Sequence, residues 1–149
     1  MPEAPTILEL VRNGTMSAEM AATLWAAMDR RLSFVVVAIP RFAGKSTVGN
    51  AILSLLPSEV PIHRITGDEA QMEQLKREAK GGYLAVGEFS EAPPTHYIWG
   101  EQVRRLFDTL EAGYSLSTAL HAPSLQEAFD VICKGNEISD EGASRLDLM

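Results

Sequence analysis

The chain has 149 residues, a length that suits one domain with a substantial buried core. A hydrophobic content of 46% excludes a disordered tail. The formal net charge of −7 argues against a broad surface for nucleic acid or anionic membrane, since both need clustered Lys and Arg. The first ten residues lack a signal-peptide core, and no apolar run approaches membrane-spanning length. We therefore expect a soluble, cytoplasmic protein with no transmembrane segment.

Two helices are predicted before the first strand. Thr6 and Glu9 form a capping-box pattern for a short helix, and Ser17 is suited to cap a second one. The second helix carries an apolar stripe that predicts a core-facing side, made of Met20, Leu24, Trp25, Met28 and Leu32.

The stretch SFVVVAIPRFAGKST, residues 33–47, predicts a buried strand, a short loop and the start of a helix. This order, with Gly-Lys-Ser at the helix start, is typical of a phosphate-binding loop. In such a loop Lys45 would reach the β- and γ-phosphates, and Ser46 would hold Mg²⁺. The candidate nucleotide-binding residues here are Pro40, Arg41, Phe42, Ala43, Gly44, Lys45, Ser46 and Thr47.

Ile39 stands where the motif has its first glycine, five residues before Gly44. A β-branched residue resists positive φ, and a residue before proline is pushed toward extended geometry. The sequence therefore leaves two outcomes for Ile39: a strained loop, or a loop held in another shape.

The rest of the chain alternates strands and helices, which predicts an α/β fold with a parallel sheet flanked by helices. The predicted strands are Val60–Thr66, Tyr83–Val86 and Tyr114–Leu120. The predicted helices are Lys45–Leu56, Asp68–Lys80, one carrying Val103 to Leu110, one from Ser124 through Cys133, and a short one after Asn136. Cys133, the single cysteine, is expected to be a buried, inert thiol.

Ligands of parallel α/β sheets bind at the carboxyl ends of the strands, where this chain places three further polar residues. Glu88 could orient an attacking water or hold Mg²⁺, or be a solvated loop residue. His121 could hydrogen-bond a γ-phosphate, or merely end its strand. Asp68 could lie near the metal, or be a helix N-cap.

Taken together, these segments resemble the secretion and pilus-motor ATPases of type II and type IV systems. The sequence IPRFAGKST, residues 39–47, occupies the place of that family's glycine-rich loop, and LAVGE, residues 84–88, resembles its Walker B segment. The sequence AGYSLSTALHAPS, residues 112–124, resembles its His box, in which His121 matches the second histidine. Asp68 is the best match to its acidic Asp box.

The resemblance implies a RecA-like P-loop NTPase core in which the fourth strand lies between the loop strand and the Walker B strand. It also implies ATP and Mg²⁺ as ligands, Glu88 and His121 as catalytic residues, and a hexameric ring. The chain departs from the family at Ile39 and Phe42, which replace loop glycines. It departs again at Gly67 in the Asp box and at Tyr114 in the His box.

The sequence thus predicts one ATPase-like domain, with a helical lead-in (1–32), a nucleotide-binding core (33–135) and a C-terminal tail or helix (136–149). We expect an ATP-binding, weakly hydrolysing domain that associates with itself or with secretion or pilus proteins, without direct nucleic-acid contact. The alternative is a degenerate, non-catalytic relative that acts as an interaction or regulatory subunit. A P-loop kinase is less favoured, because no lid-like arginine cluster follows the third strand.

Overall fold

A computed structural model describes residues 3–39, 44–91 and 97–149. The helices are α1 (Ile7–Arg12), α2 (Ala18–Asp29), α3 (Lys45–Leu53), α4 (Glu69–Glu78), α5 (Glu101–Leu110), α6 (Leu125–Asp130), a π-helix (Val131–Gly135) and α7 (Asp140–Ala143). The strands are β1 (Phe34–Ala38), β2 (Ile62–Arg64), β3 (Tyr83–Ala85) and β4 (Ser115–His121).

The strands form one four-stranded, all-parallel sheet in the order β1-β4-β3-β2. The predicted α/β class with a parallel sheet flanked by helices is confirmed. β4 lies between β1 and β3, which is the position that the family resemblance implies for it. The carboxyl ends of β1, β4 and β3 are therefore neighbours at one end of the sheet.

Apolar residues pack on both faces of the sheet because successive strand side chains point to opposite sides. Phe34 and Tyr83 pack with Met28 on the face covered by α1, α2 and α3. Leu84 and Leu116 pack on the other face, with α4, α5 and the segments after β4. A helix cover on both faces leaves the strand ends as the part of the sheet where a ligand can reach polar groups.

The predicted apolar stripe of α2 is only partly in the core. Met28 is fully buried, but Met20 is 54% exposed and Trp25 is 48% exposed, so the prediction is wrong for these two. The buried face of the helix is instead centred on Ala21, Ala27 and Met28. Two of these three buried residues are alanines, and the bulkier Met20 and Trp25 lie outside the buried face.

The predicted helix from Ser124 through Cys133 changes character part-way. α6 ends at Asp130, and a π-helix follows over Val131–Gly135. The buried Asn136 side chain fixes this wider turn, donating to the Val131 carbonyl (2.8 Å) and accepting from the Gly100 N–H (2.7 Å). The short helix predicted after Asn136 is present as α7.

The C-terminal residues join the open side of β1. Leu148 N–H donates to the Ser33 carbonyl (3.1 Å), and Val35 N–H donates to the Leu148 carbonyl (3.0 Å). The Asp147 carboxylate accepts from Ser33 N–H at 2.8 Å. The segment 136–149 is thus tied to the sheet and continuous with its core. Among the described residues, no helix is both long and apolar enough to cross a bilayer.

Candidate functional site

α3 begins at a glycine that adopts a conformation costly for other residues. Gly44 is the N-cap with φ +85° and ψ 17°, in the left-handed region, and a Cβ there would meet nothing within 4 Å. No side chain of the described residues caps this helix. The backbone N–H groups of its first turn therefore carry the partial positive charge that favours an anion.

Lys45, the first residue of α3, forms an ion pair with Glu88. Its Nζ lies 3.1 Å from Glu88 Oε1, and the two side chains are 10% and 13% exposed. Of the ion pairs formed among the described residues, this is the only one in which both side chains are less than 15% exposed. This shielding from water distinguishes the Lys45–Glu88 pair from the exposed ion pairs of the surface.

The backbone on both sides of Glu88 is fixed. After β3 ends, Val86 N–H donates to the Ser117 carbonyl (2.8 Å) and Phe89 N–H donates to the Ala119 carbonyl (2.9 Å). The Glu88 carbonyl accepts from Ile98 N–H at 3.1 Å. The chain thus continues beside β4 and turns the Glu88 side chain toward α3. Glu88 is nearly buried and paired, so it is not the freely solvated loop residue of the alternative interpretation.

The sequence assigned Lys45 and Glu88 separate tasks and missed their direct pairing. The signal was present in part, because an acid directly after a buried strand needs a partner. To identify Lys45 as the partner of Glu88, the strand order is needed. Lys45 follows β1 and Glu88 follows β3, and β4 lies between these two strands. Ser46 and Thr47 lie in the same first turn of α3, and both are exposed.

His121 lies at the same end of the sheet. It is the last residue of β4, stands opposite Ala38 in the register, and is exposed. It lies two residues after Ala119, whose carbonyl accepts the hydrogen bond from Phe89 N–H next to Glu88. The structure therefore gathers Gly44, Lys45, Glu88 and His121 around three adjacent strand ends.

Asp68 follows β2, the strand next to β3, and Glu88 follows β3. The Asp68 carboxylate accepts from Ala70 N–H at 3.0 Å, which makes it the N-cap of α4. β2 is three strand positions from β1, roughly 14 Å at ordinary strand spacing, but only one position from β3. The N-cap interpretation thus describes what Asp68 does here, and its contact with a nucleotide or metal stays a prediction.

The structure describes two of the residues that depart from the resembled motifs, Ile39 and Tyr114. Ile39 is 57% exposed and is not among the described residues with positive φ, so it takes no left-handed strain. Tyr114 is buried just before β4, where its hydroxyl donates to the Leu75 carbonyl and accepts from Lys80 N–H (3.2 Å). Tyr114 therefore ties down the amino end of β4, opposite the candidate site. The loop residues Pro40, Arg41, Phe42 and Ala43 lie outside the described residues.

The candidate site offers few side chains that could ligate a metal ion. Within the described ranges, no group of three or more His, Cys, Asp or Glu side chains is placed to hold a metal ion. Ser46 and Glu88 are the predicted Mg²⁺ ligands. Ser46 is the second residue of α3, and Glu88 is paired with Lys45, the first residue of α3.

Cys133, the single cysteine, lies in the π-helix and is partly exposed, so the predicted full burial is wrong. Desolvation by its neighbours, together with the nearby Asp140 and Asp130, raises the pKa of the thiol. A raised pKa keeps the thiol protonated at neutral pH and agrees with an inert cysteine.

A scan against protein-family models and a search of curated proteins both find no match to the chain.

Proposed function

We propose that this domain binds ATP with Mg²⁺ at the carboxyl end of the sheet, between the start of α3 and Glu88, and hydrolyses it slowly. The observation that supports this most is the nearly buried Lys45–Glu88 pair beside the left-handed Gly44. A cation at a helix N-terminus opposes the helix dipole, so Lys45 is unfavourable there for helix stability alone. A phosphate group would relieve that conflict, because both the ammonium and the helix N-terminus attract it.

The residues present fit such a ligand. Gly44 leaves open space at the helix start, so a phosphate oxygen can approach the backbone closely. Lys45 would neutralise phosphate charge, and the Ser46 hydroxyl and Glu88 carboxylate are the hard oxygen donors that Mg²⁺ prefers. Bound Mg²⁺ would supply charge neutralisation on the phosphates. Glu88 would orient the attacking water, and His121 would hydrogen-bond the terminal phosphate.

A second candidate is the non-catalytic interaction subunit, which one surface observation favours. Ile39, Leu125 and Phe129 are large hydrophobic residues that are 57%, 57% and 42% exposed. A hollow of about 450 Å³ lies among Val37, Ile39, Leu125, Met149 and their neighbours. Exposed apolar surface of this kind is common at protein–protein contacts. Self-assembly and association with secretion or pilus proteins remain predictions from the family resemblance.

Thermal unfolding with Mg-ATP, with Mg-ADP and without nucleotide tests the first candidate, since a ligand of the folded state raises its melting temperature. We expect stabilisation of the parent and none in Lys45→Ala. Lys134→Ala is the matched control, because Lys134 is 78% exposed in its ion pair with Asp130. A parent unchanged by nucleotide would favour the interaction subunit, whereas equal shifts in parent and Lys45→Ala would remove Lys45 from the site.

A further inference from the structure

We infer that Glu88 sets the affinity of this site by competing with phosphate for Lys45. This rests on the proposed nucleotide function and adds a role for Glu88 before any chemistry occurs. The Lys45 ammonium lies 3.1 Å from the Glu88 carboxylate, with about nine-tenths of each side chain out of water. The ligand must therefore enter a site whose cation is already neutralised.

The competition follows from where the two side chains are attached. Lys45 projects from the first turn of α3, directly after Gly44, so a phosphate drawn to the helix N-terminus arrives beside its ammonium. The same phosphate then faces the Glu88 carboxylate, and two anions in a poorly solvated place repel each other strongly. Glu88 has to turn away from Lys45, or a cation has to lie between the carboxylate and the phosphate.

The movement required is confined to a side chain. The backbone on both sides of Glu88 is held by hydrogen bonds to Ser117, Ala119 and Ile98, and the backbone of Lys45 belongs to α3. Phosphate binding therefore exchanges one partner of Lys45 for another without rearranging the sheet. Glu88 leaves Lys45 only when a ligand reaches Lys45. The Glu88 carboxylate is therefore free to orient water only when the site is occupied.

Glu88→Gln isolates this effect, because the amide keeps the size of the side chain and removes its charge. Calorimetric titration should compare the parent and Glu88→Gln with ATP in the absence of divalent metal, and then with Mg-ATP. We expect Glu88→Gln to bind metal-free ATP about tenfold more tightly, which corresponds to about 1.4 kcal/mol. The gain should be smaller with Mg-ATP, because Mg²⁺ can lie between the carboxylate and the phosphates in the parent.

Glu111→Gln is the matched control for net charge, since Glu111 is an exposed carboxylate paired with Arg145 at 3.6 Å. Its affinity should stay within about twofold of the parent. Glu88→Asp is a second variant that keeps the charge and shortens its reach, and we expect an affinity between those of parent and Glu88→Gln. Circular dichroism and melting temperatures confirm that each variant is folded.

The outcomes separate the two claims. If the parent binds ATP and Glu88→Gln binds metal-free ATP no more tightly than the parent, Glu88 does not compete with phosphate for Lys45. The proposed nucleotide site is then retained without this role for Glu88. Binding by Glu88→Gln alone supports the competition directly. If neither protein binds ATP in either form, the nucleotide function fails and this inference fails with it.

Discussion

Lys45 and Glu88 pair across the carboxyl end of the sheet, with Nζ 3.1 Å from Oε1 and both side chains nearly buried. The pair connects α3, which follows β1, to the chain leaving β3, and β4 lies between these two strands. It therefore connects two parts of the fold as well as belonging to the proposed site.

A double-mutant cycle on this pair should show strong coupling. Removing one partner of a buried ion pair leaves an uncompensated charge and costs about 3–5 kcal/mol in a fully buried site, so we expect about 3 kcal/mol for Lys45→Met or Glu88→Gln. The double variant should lose clearly less than the sum of the two. Urea unfolding of the four proteins measures this, and losses that add within about 0.5 kcal/mol would mean that the pair is not coupled.

Gly44→Ala should destabilise the protein although the position has open space. A Cβ at Gly44 meets nothing within 4 Å, so the cost comes from its φ of +85° and should be about 1–2 kcal/mol. Gly49→Ala is the matched control, because Gly49 lies inside α3 with equally open space and without a positive φ. It should gain about 0.5–1 kcal/mol. Equal effects of the two substitutions on unfolding in urea would argue against a left-handed helix start.

Glu88→Gln should slow ATP turnover even where it tightens binding, because orienting water is a transition-state task. We expect kcat to fall by about tenfold or more while KM does not rise. His121→Ala should slow turnover by a smaller factor, since His121 is exposed at the rim of the site. Phosphate release measured at high protein concentration, which allows for assembly, checks both. A Glu88→Gln variant with parental kcat would remove Glu88 from the chemistry.

Stability should fall as pH rises above about 10, the pKa of tyrosine in an unfolded chain. Tyr83 is fully buried and donates to the Leu32 carbonyl at 2.6 Å, and burial raises the pKa of its phenol. Above pH 10 the unfolded chain loses this proton and the folded protein keeps it, so unfolding is favoured by about 1.4 kcal/mol per pH unit.

Tyr83→Phe separates this titration from other alkaline effects. The variant should lose about 1 kcal/mol at neutral pH with its hydrogen bond, and its stability should fall less steeply above pH 10. Unfolding in urea at pH 7, 9, 10 and 11 provides the comparison. Parallel pH profiles for parent and variant would show that Tyr83 does not cause the alkaline loss.

Local pattern was enough to predict much of the fold. Runs such as Phe34–Ala38 and Tyr83–Ala85 are apolar and rich in strand-forming residues. The predicted capping residues Thr6 and Ser17 each accept a backbone hydrogen bond as expected. The place of β4 between β1 and β3 came from the family resemblance. Periodicity alone would not place β4 between β1 and β3.

Features that depend on distant partners could not be predicted. The π-helix after Asp130 is fixed by Asn136, whose side chain also binds Gly100, 36 residues earlier. Trp25 is exposed because the buried face of α2 is centred on Ala21, Ala27 and Met28. The Lys45–Glu88 pair joins residues from different strand ends, so it required the sheet order. In each case the deciding contact lies outside the local sequence.

Lys45 is proposed to belong to a site for the phosphates of ATP. Calorimetric titration of the parent, Lys45→Ala and the control Lys134→Ala with Mg-ATP tests it most directly. We predict saturable binding by the parent and by Lys134→Ala, and affinity at least about tenfold weaker in Lys45→Ala, a loss of about 1.4 kcal/mol or more. Equal affinities for the parent and a folded Lys45→Ala, or no binding by the parent, would contradict the account.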